Sequence, residues 1–148
     1  MKIEEEIQQK AFSSAHQKAV INLIYTSNWL IGTQQKFLSR FGITAQQFNI
    51  LRILRGQHPG GLSATAIKSR MLDRNSDVSR LLDRLVKKNL VLRKSCQTDK
   101  RAMDVFITQE GLDILSKISQ NSEAIDNALA LTESEAELLS NLLDRARE

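Results

Sequence analysis

A chain of 148 residues with 41% apolar and 26% charged side chains is one domain's worth, large enough to bury a core without disulfides or metals. A single cysteine, Cys96, excludes an internal disulfide and fits a reducing, cytoplasmic setting. The acidic start Met1-Lys2-Ile3-Glu4-Glu5-Glu6 has no apolar stretch of a secretory signal behind it, and no apolar run approaches the ~18 residues of a membrane span.

Gly and Pro are scarce, so helix is expected to dominate. The first segment, about residues 4–39, carries Ala19, Val20, Leu23, Ile24, Trp29 or Leu30, Ile31 and Leu38 at near-helical spacing. Its start, residues 4–12, reads as a separate short turn. The rest would be nearly 40 Å long, more than a compact small domain needs, so the helix is expected to reach a partner. Thr44 and Gln47 have capping-box spacing, and a helix follows through Phe48, Ile50, Leu51, Ile53 and Leu54. His58-Pro59-Gly60-Gly61 breaks it.

Residues 64–72 form a short helix with Ala66, Ile67 and Met71 inward. Asp73-Arg74-Asn75 is a turn, with Asn75 or Ser76 as the expected cap of the next helix. In that helix Val78, Leu81, Leu82, Leu85 and Val86 mark an apolar stripe. The other face then presents Ser76, Asp77, Ser79, Arg80, Asp83, Arg84 and Lys87, and Asn89 suits a left-handed position after the helix. Residues 90–96 and 103–107 are β-prone and flank Gln97-Thr98-Asp99-Lys100-Arg101, which predicts a two-stranded hairpin. Thr108 caps a helix from Gln109 to about Asn127, and Thr132 with Glu135 opens a last, leucine-bearing helix.

The net charge of +4 conceals an asymmetry. Residues 62–108 hold eleven cations against five anions, and residues 109–148 hold three against nine. A basic middle is the electrostatic footprint of a phosphate-binding surface, or else a solvated face that happens to be basic. A helix with outward Ser and Arg, followed by a cationic β-ribbon, suits double-stranded DNA. The helix fits a major groove, and an Arg at a narrow tip reaches the adjacent minor groove or backbone.

These pieces together resemble the MarR (multiple antibiotic resistance regulator) type of winged helix-turn-helix transcription factors. The carrying residues are Phe48 to Leu54, Ser79 to Val91, Asp99-Lys100-Arg101 and Ile107-Thr108-Gln109-Glu110-Gly111. The Asp-x-Arg wing, followed by a strand and Thr-x-x-Gly, is the most specific. Asn89 departs from the glycine frequent there in the family. The resemblance implies a mainly α fold over residues 1–148, with a winged helix-turn-helix lobe at 44–108 and dimerisation helices at 4–39 and 109–148. It also implies a homodimer on a pseudo-palindromic operator, with half-sites about one helical turn apart.

On that footing Ser76, Ser79, Arg80 and Arg84 are expected to face DNA, with Arg74 and Lys87 on phosphates. The alternative for Arg84 and Lys87 is a solvated face, or one paired to Asp83 and Asp77. Lys100 and Arg101 form the wing tip and Asp99 orients it, or Asp99 and Arg101 are a surface pair of little worth. The family commonly responds to a small, often aromatic or phenolic effector between the dimerisation helices and the lobe. His16, Tyr25, Trp29 and Arg52 are the residues offered for it, although Tyr25 and Trp29 also fit a core or dimer interface.

Cys96, near Lys94 and Lys100, reads as a half-buried strand thiol or as a redox switch. His16 and His58 are far apart and stand in no catalytic, metal-ligand or phosphate-loop pattern, so neither an enzyme, a metal nor a cofactor is indicated. The rival readings are a winged helix used for protein–protein contact, and an architectural protein binding DNA without sequence preference.

Overall fold

A computed structural model describes residues 1–96, 98–99 and 101–148. In chain order these form α1 (Ile3–Glu6), α2 (Ala15–Leu38), α3 (Ala45–Arg55), β1 (Leu62–Ser63), α4 (Ala64–Arg70), α5 (Val78–Lys87), β2 (Val91–Ser95), β3 (Met103–Ile107), α6 (Gln109–Gln120), α7 (Glu123–Asp126) and α8 (Glu133–Arg145). The mainly α class with a β wing is as expected.

The long helix α2 begins where Ser14 accepts a hydrogen bond from the Gln17 amide, and its 24 residues span ~36 Å. Only Leu38 of α2 is buried. The short α1 folds back along it: Ile3 is buried, Glu4 pairs with Lys18, and the Tyr25 hydroxyl donates to Glu6 at 2.7 Å. A 3-10 turn at Ser39–Phe41 forms an elbow into α3, whose capping box between Thr44 and Gln47 is complete.

The sheet has three antiparallel strands in the order β1-β3-β2, with Val91 opposite Ile107 and Leu62 opposite Val105. The third strand corrects the two-stranded expectation. Two residues carry no readable alternation. They pair because Gly61 lets the backbone approach: a Cβ there would lie 2.8 Å from the Val105 carbonyl oxygen.

Two helix boundaries also differ from expectation. The cap of α5 is Asp77, which accepts from the Arg80 amide at 3.2 Å. The preceding turn is closed by Asp73, which accepts from the Asn75 amide at its carboxylate and from the Ser76 amide at its carbonyl. Helix α6 ends at Gln120 rather than near Asn127. There Asn121 donates to the Lys117 carbonyl and Ser122 to that of Ser119, so side chains take the acceptors that further helix would use.

At the other end of α5, Asn89 is left-handed at φ 59°. The Leu90 amide reaches the Leu85 carbonyl at 3.0 Å, and the Asn89 amide reaches Val86 at 2.9 Å. This double closure is the usual device for stopping a helix with its carbonyls satisfied.

One core cluster joins α3, α4, α5 and the sheet. It includes Leu38 at the end of α2 and Leu115 and Ile118 of α6, so packing continues past residues 44 and 108. Gly111 sits where α6 meets this core. An added Cβ would lie 2.4 Å from the Leu90 carbonyl oxygen and 2.6 Å from Ile107 Cγ1. Gly111→Ala is therefore expected to cost about 1–3 kcal/mol, read as a lowered thermal midpoint; an unchanged midpoint would show that α6 shifts freely.

Outside the core, α2 exposes Val20, Leu23, Ile24, Trp29 and Ile31, and α8 exposes Leu138 and Leu142. No described helix is long and apolar enough to cross a membrane.

Candidate nucleic-acid interface

Helix α5 buries Val78, Leu82 and Leu85, while Leu81 is partly buried and Val86 is half-exposed. The remaining surface carries Ser79, Arg80, Asp83, Arg84 and Lys87, all exposed. Among the described residues, no carboxylate pairs with Arg80, Arg84 or Lys87. Asp77 is occupied as the cap, and Asp83 pairs with Arg93 of β2 at 2.7 Å. The reading in which Asp83 and Asp77 neutralise Arg84 and Lys87 is therefore not what the structure shows.

Ser76 is placed differently from expectation. It lies in the turn rather than on the outer helix face, is 8% exposed, and its hydroxyl has no partner among the described residues. Moving the cap to Asp77 is the cause: the chain enters the helix one residue later and turns Ser76 inward. Arg74 is exposed, and its guanidinium donates to the Ser69 carbonyl at 2.7 Å, which steadies the end of α4.

The wing is the β2–β3 hairpin. It closes where the Cys96 amide meets the Ala102 carbonyl at 2.9 Å and the Ala102 amide meets that of Asp99 at 3.1 Å. The Asp99 carboxylate accepts from the Arg101 backbone amide at 3.0 Å. It thus orders the turn and leaves the Arg101 guanidinium outside any ion pair among the described residues. Lys100 lies outside the described residues.

Two cations escaped the sequence reading. Arg93 is tied to Asp83. Lys88 donates to the Gly42 carbonyl and, at 3.3 Å, to Gln47 Oε1, joining the end of α5 to the elbow below α2. Only the opposite charges in sequence hinted at the first pair, and nothing local hinted at the second.

A cleft of about 190 Å³ opens where α2, α3, α6 and α7 meet, lined by Gln34, Phe37, Phe48, Arg52, Arg55, Ile118 and Asp126 among others. Arg52 stands 5.6 Å over the Phe48 ring. Of the four effector candidates Arg52 alone lines this cleft. His16, Tyr25 and Trp29 lie farther up α2, because the cleft meets only the C-terminal end of that rod, and Tyr25 is held by Glu6.

Cys96 is partly exposed. Its thiol lies 3.1 Å from the Thr98 hydroxyl. That hydrogen bond, with backbone hydrogen bonds at Thr98 and Asp99, holds its pKa below the ordinary thiol value, while partial burial and then Asp104 oppose the shift. The leading cause among the described residues is hydrogen bonding to the thiolate. Alkylation by iodoacetamide should therefore reach half its limiting rate at a lower pH than for an unstructured cysteine. Thr98→Val should move that midpoint up, and identical midpoints in the two proteins would refute the assignment.

An exposed cationic helix beside an antiparallel wing, on a small helical lobe, defines a winged helix-turn-helix, a class whose second helix reads the major groove. A MarR family model matches residues 43–103. The chain is 30% identical to a MarR transcription factor from Planctomyces limnophilus, with 93% of this chain and 98% of that one covered and a TM-score of 0.70. It is 29% identical to the apo form of MarR from E. coli, with 84% and 94% covered and a TM-score of 0.65. It is also 29% identical to the HTH-type transcriptional regulator MhqR of Bacillus subtilis, covering 74% of this chain and 76% of that protein. The chain belongs to the MarR family of DNA-binding transcription regulators. The relatives are regulators rather than enzymes.

Proposed function

We propose that this chain works in the cytoplasm as a homodimer on a pseudo-palindromic operator, as a repressor released by a small ligand. The observation that carries the DNA part is the α5 face: Arg80, Arg84 and Lys87 stand exposed without carboxylate partners among the described residues. In this reading Arg80 and Arg84, with Ser79, meet base edges, and Arg74 and Lys87 hold phosphates. Arg101, with Lys100, enters the adjacent minor groove while Asp99 keeps the tip in shape. Ser76 has no direct part.

The dimer is supported by the apolar residues that α2 and α8 leave in solvent, exposure of the kind that marks an interface. A dimer seated on its operator would block transcription there. The ligand part rests on the cleft, where Phe37 and Phe48 offer aromatic walls and Arg52 and Arg55 offer positive charge, a setting for a small aromatic anion.

The test is fluorescence anisotropy of the protein with its own upstream intergenic DNA and with a scrambled duplex, at two salt concentrations, with Arg101→Ala alongside. The expected result is salt-sensitive binding that prefers the native fragment and weakens in the variant. Equal binding to both duplexes would make the protein architectural, and no binding at low salt would point to a protein partner instead.

A further inference from the structure

Helix α5 and strand β2 leave a common turn at Asn89, where the helix stops with its last carbonyls closed. Their inner sides are fixed by the core through Leu82, Leu85 and Val91. On the solvent side a single ion pair joins them among the described residues, Asp83 to Arg93 at 2.7 Å. Asp83 lies about one helical turn, ~6 Å, before the end of α5, and Arg93 is the third residue of β2, ~7 Å along the strand. The pair therefore spans the angle between the helix and the wing.

We infer that Asp83 and Arg93 are positioning residues for DNA recognition, a tie that sets the wing tip at Arg101 relative to the reading helix. The inference rests on the DNA-binding function proposed above. Two observations and one requirement of the proposed binding mode favour it over the simpler reading of a stabilising surface bridge. The Asp83 and Arg93 side chains are 60% and 32% exposed, and a pair in that much solvent contributes little to folding. Asp83 occupies a face otherwise cationic through Arg80, Arg84 and Lys87, where a free carboxylate would repel phosphate, so charge alone gives it no place there. Finally, two grooves must be met at once. The helix and the wing tip contact different parts of the duplex, so their mutual angle enters directly into fit.

The two explanations differ in sign. If only charge matters, Asp83→Asn removes an anion facing phosphates and tightens DNA binding. If the tie positions the wing, the same change weakens binding to a preferred sequence.

The experiment first lets the wild-type protein enrich a duplex from a randomised pool. It then measures anisotropy on that duplex and on a scrambled one for wild type, Asp83→Asn, Arg93→Gln and the exchanged pair Asp83→Arg with Arg93→Asp. The expected result is a loss of about tenfold for Asp83→Asn on the enriched duplex, the fold-change that ~1.4 kcal/mol of coupling gives. Binding to the scrambled duplex should hold or rise, the thermal midpoint should stay put, and the exchanged pair should recover most of the loss.

Enriched-duplex affinity that stays level or rises in Asp83→Asn would overturn the inference. So would an exchanged pair that recovers nothing, or a thermal midpoint that collapses in Asp83→Asn and makes the bridge a folding contact. If the wild type enriches no sequence, the DNA reading itself falls and takes this inference with it.

Discussion

Leu138→Asp combined with Leu142→Asp is expected to turn the protein into a monomer that no longer holds its operator. Leu138 is 59% and Leu142 43% exposed in the single chain, and α8 has no buried residue at all. A capped helix of 13 residues with no buried side chain is marginal in water, so its apolar face needs a cover. The exposed face of α2, which includes Trp29 at 48%, is apolar in the same way. Burying one leucine contributes ~1.5–3 kcal/mol, and a two-fold interface counts each substitution twice, so roughly 6–12 kcal/mol is at stake before the cost of burying carboxylates. Sedimentation velocity would read the monomer directly. Anisotropy would show operator affinity falling to that of one half-site. The lobe core lacks both leucines, so its thermal unfolding should persist. A double variant that remains dimeric would place the interface elsewhere and remove the main support for the paired-lobe arrangement.

Arg80→Ala is expected to abolish most sequence discrimination while leaving the fold intact. Arg80 lies in the first turn of α5, with its amide held by Asp77 and its side chain exposed, and it is the N-terminal part of a recognition helix that meets base edges. A bidentate arginine–guanine contact contributes ~1–3 kcal/mol of discrimination. Two half-sites double that, so affinity for the preferred duplex should fall roughly thirtyfold or more. Arg80→Lys should not rescue it, because a point charge cannot make the paired contact. Lys87→Ala should behave differently. It should weaken preferred and scrambled duplexes alike and flatten the salt dependence by about one unit of slope for each phosphate no longer neutralised. If Arg80→Ala also weakened both duplexes equally, Arg80 would be a phosphate contact and specificity would have to come from Arg84 or the wing.

Much of this fold was legible because its signals are local. The capping boxes at Thr44 and Thr132, the stripe of α5 and the left-handed Asn89 depend on residues within a turn of one another, and each stands where its spacing put it. Competition among neighbouring polar residues was harder to read. Asp77 rather than Asn75 or Ser76 caps α5, since Asp73 had already closed the turn, and this hid Ser76. The strand β1 is too short to have a period, and it exists because β3 was available beside Gly61. Contacts between distant residues were not legible at all. Lys88 meets a carbonyl 46 positions away, and nothing in the pattern of either segment selects that partner. Where the four effector candidates would lie relative to the cleft was hidden for a related reason. Periodicity shows that α2 has an apolar face but not which end of it the lobe abuts.

The elbow below α2 has a mechanical consequence. A rod ~36 Å long acts as a lever, and a tilt of ~3° at one end moves the other by ~2 Å. The fulcrum is the turn at Ser39–Phe41, and Lys88 fastens the end of α5 to it through the Gly42 carbonyl. The cleft flanked by Phe37 and Arg52 opens beside that same fulcrum. A small molecule lodged there would act on the short arm, and the half-site spacing would register its effect on the long one.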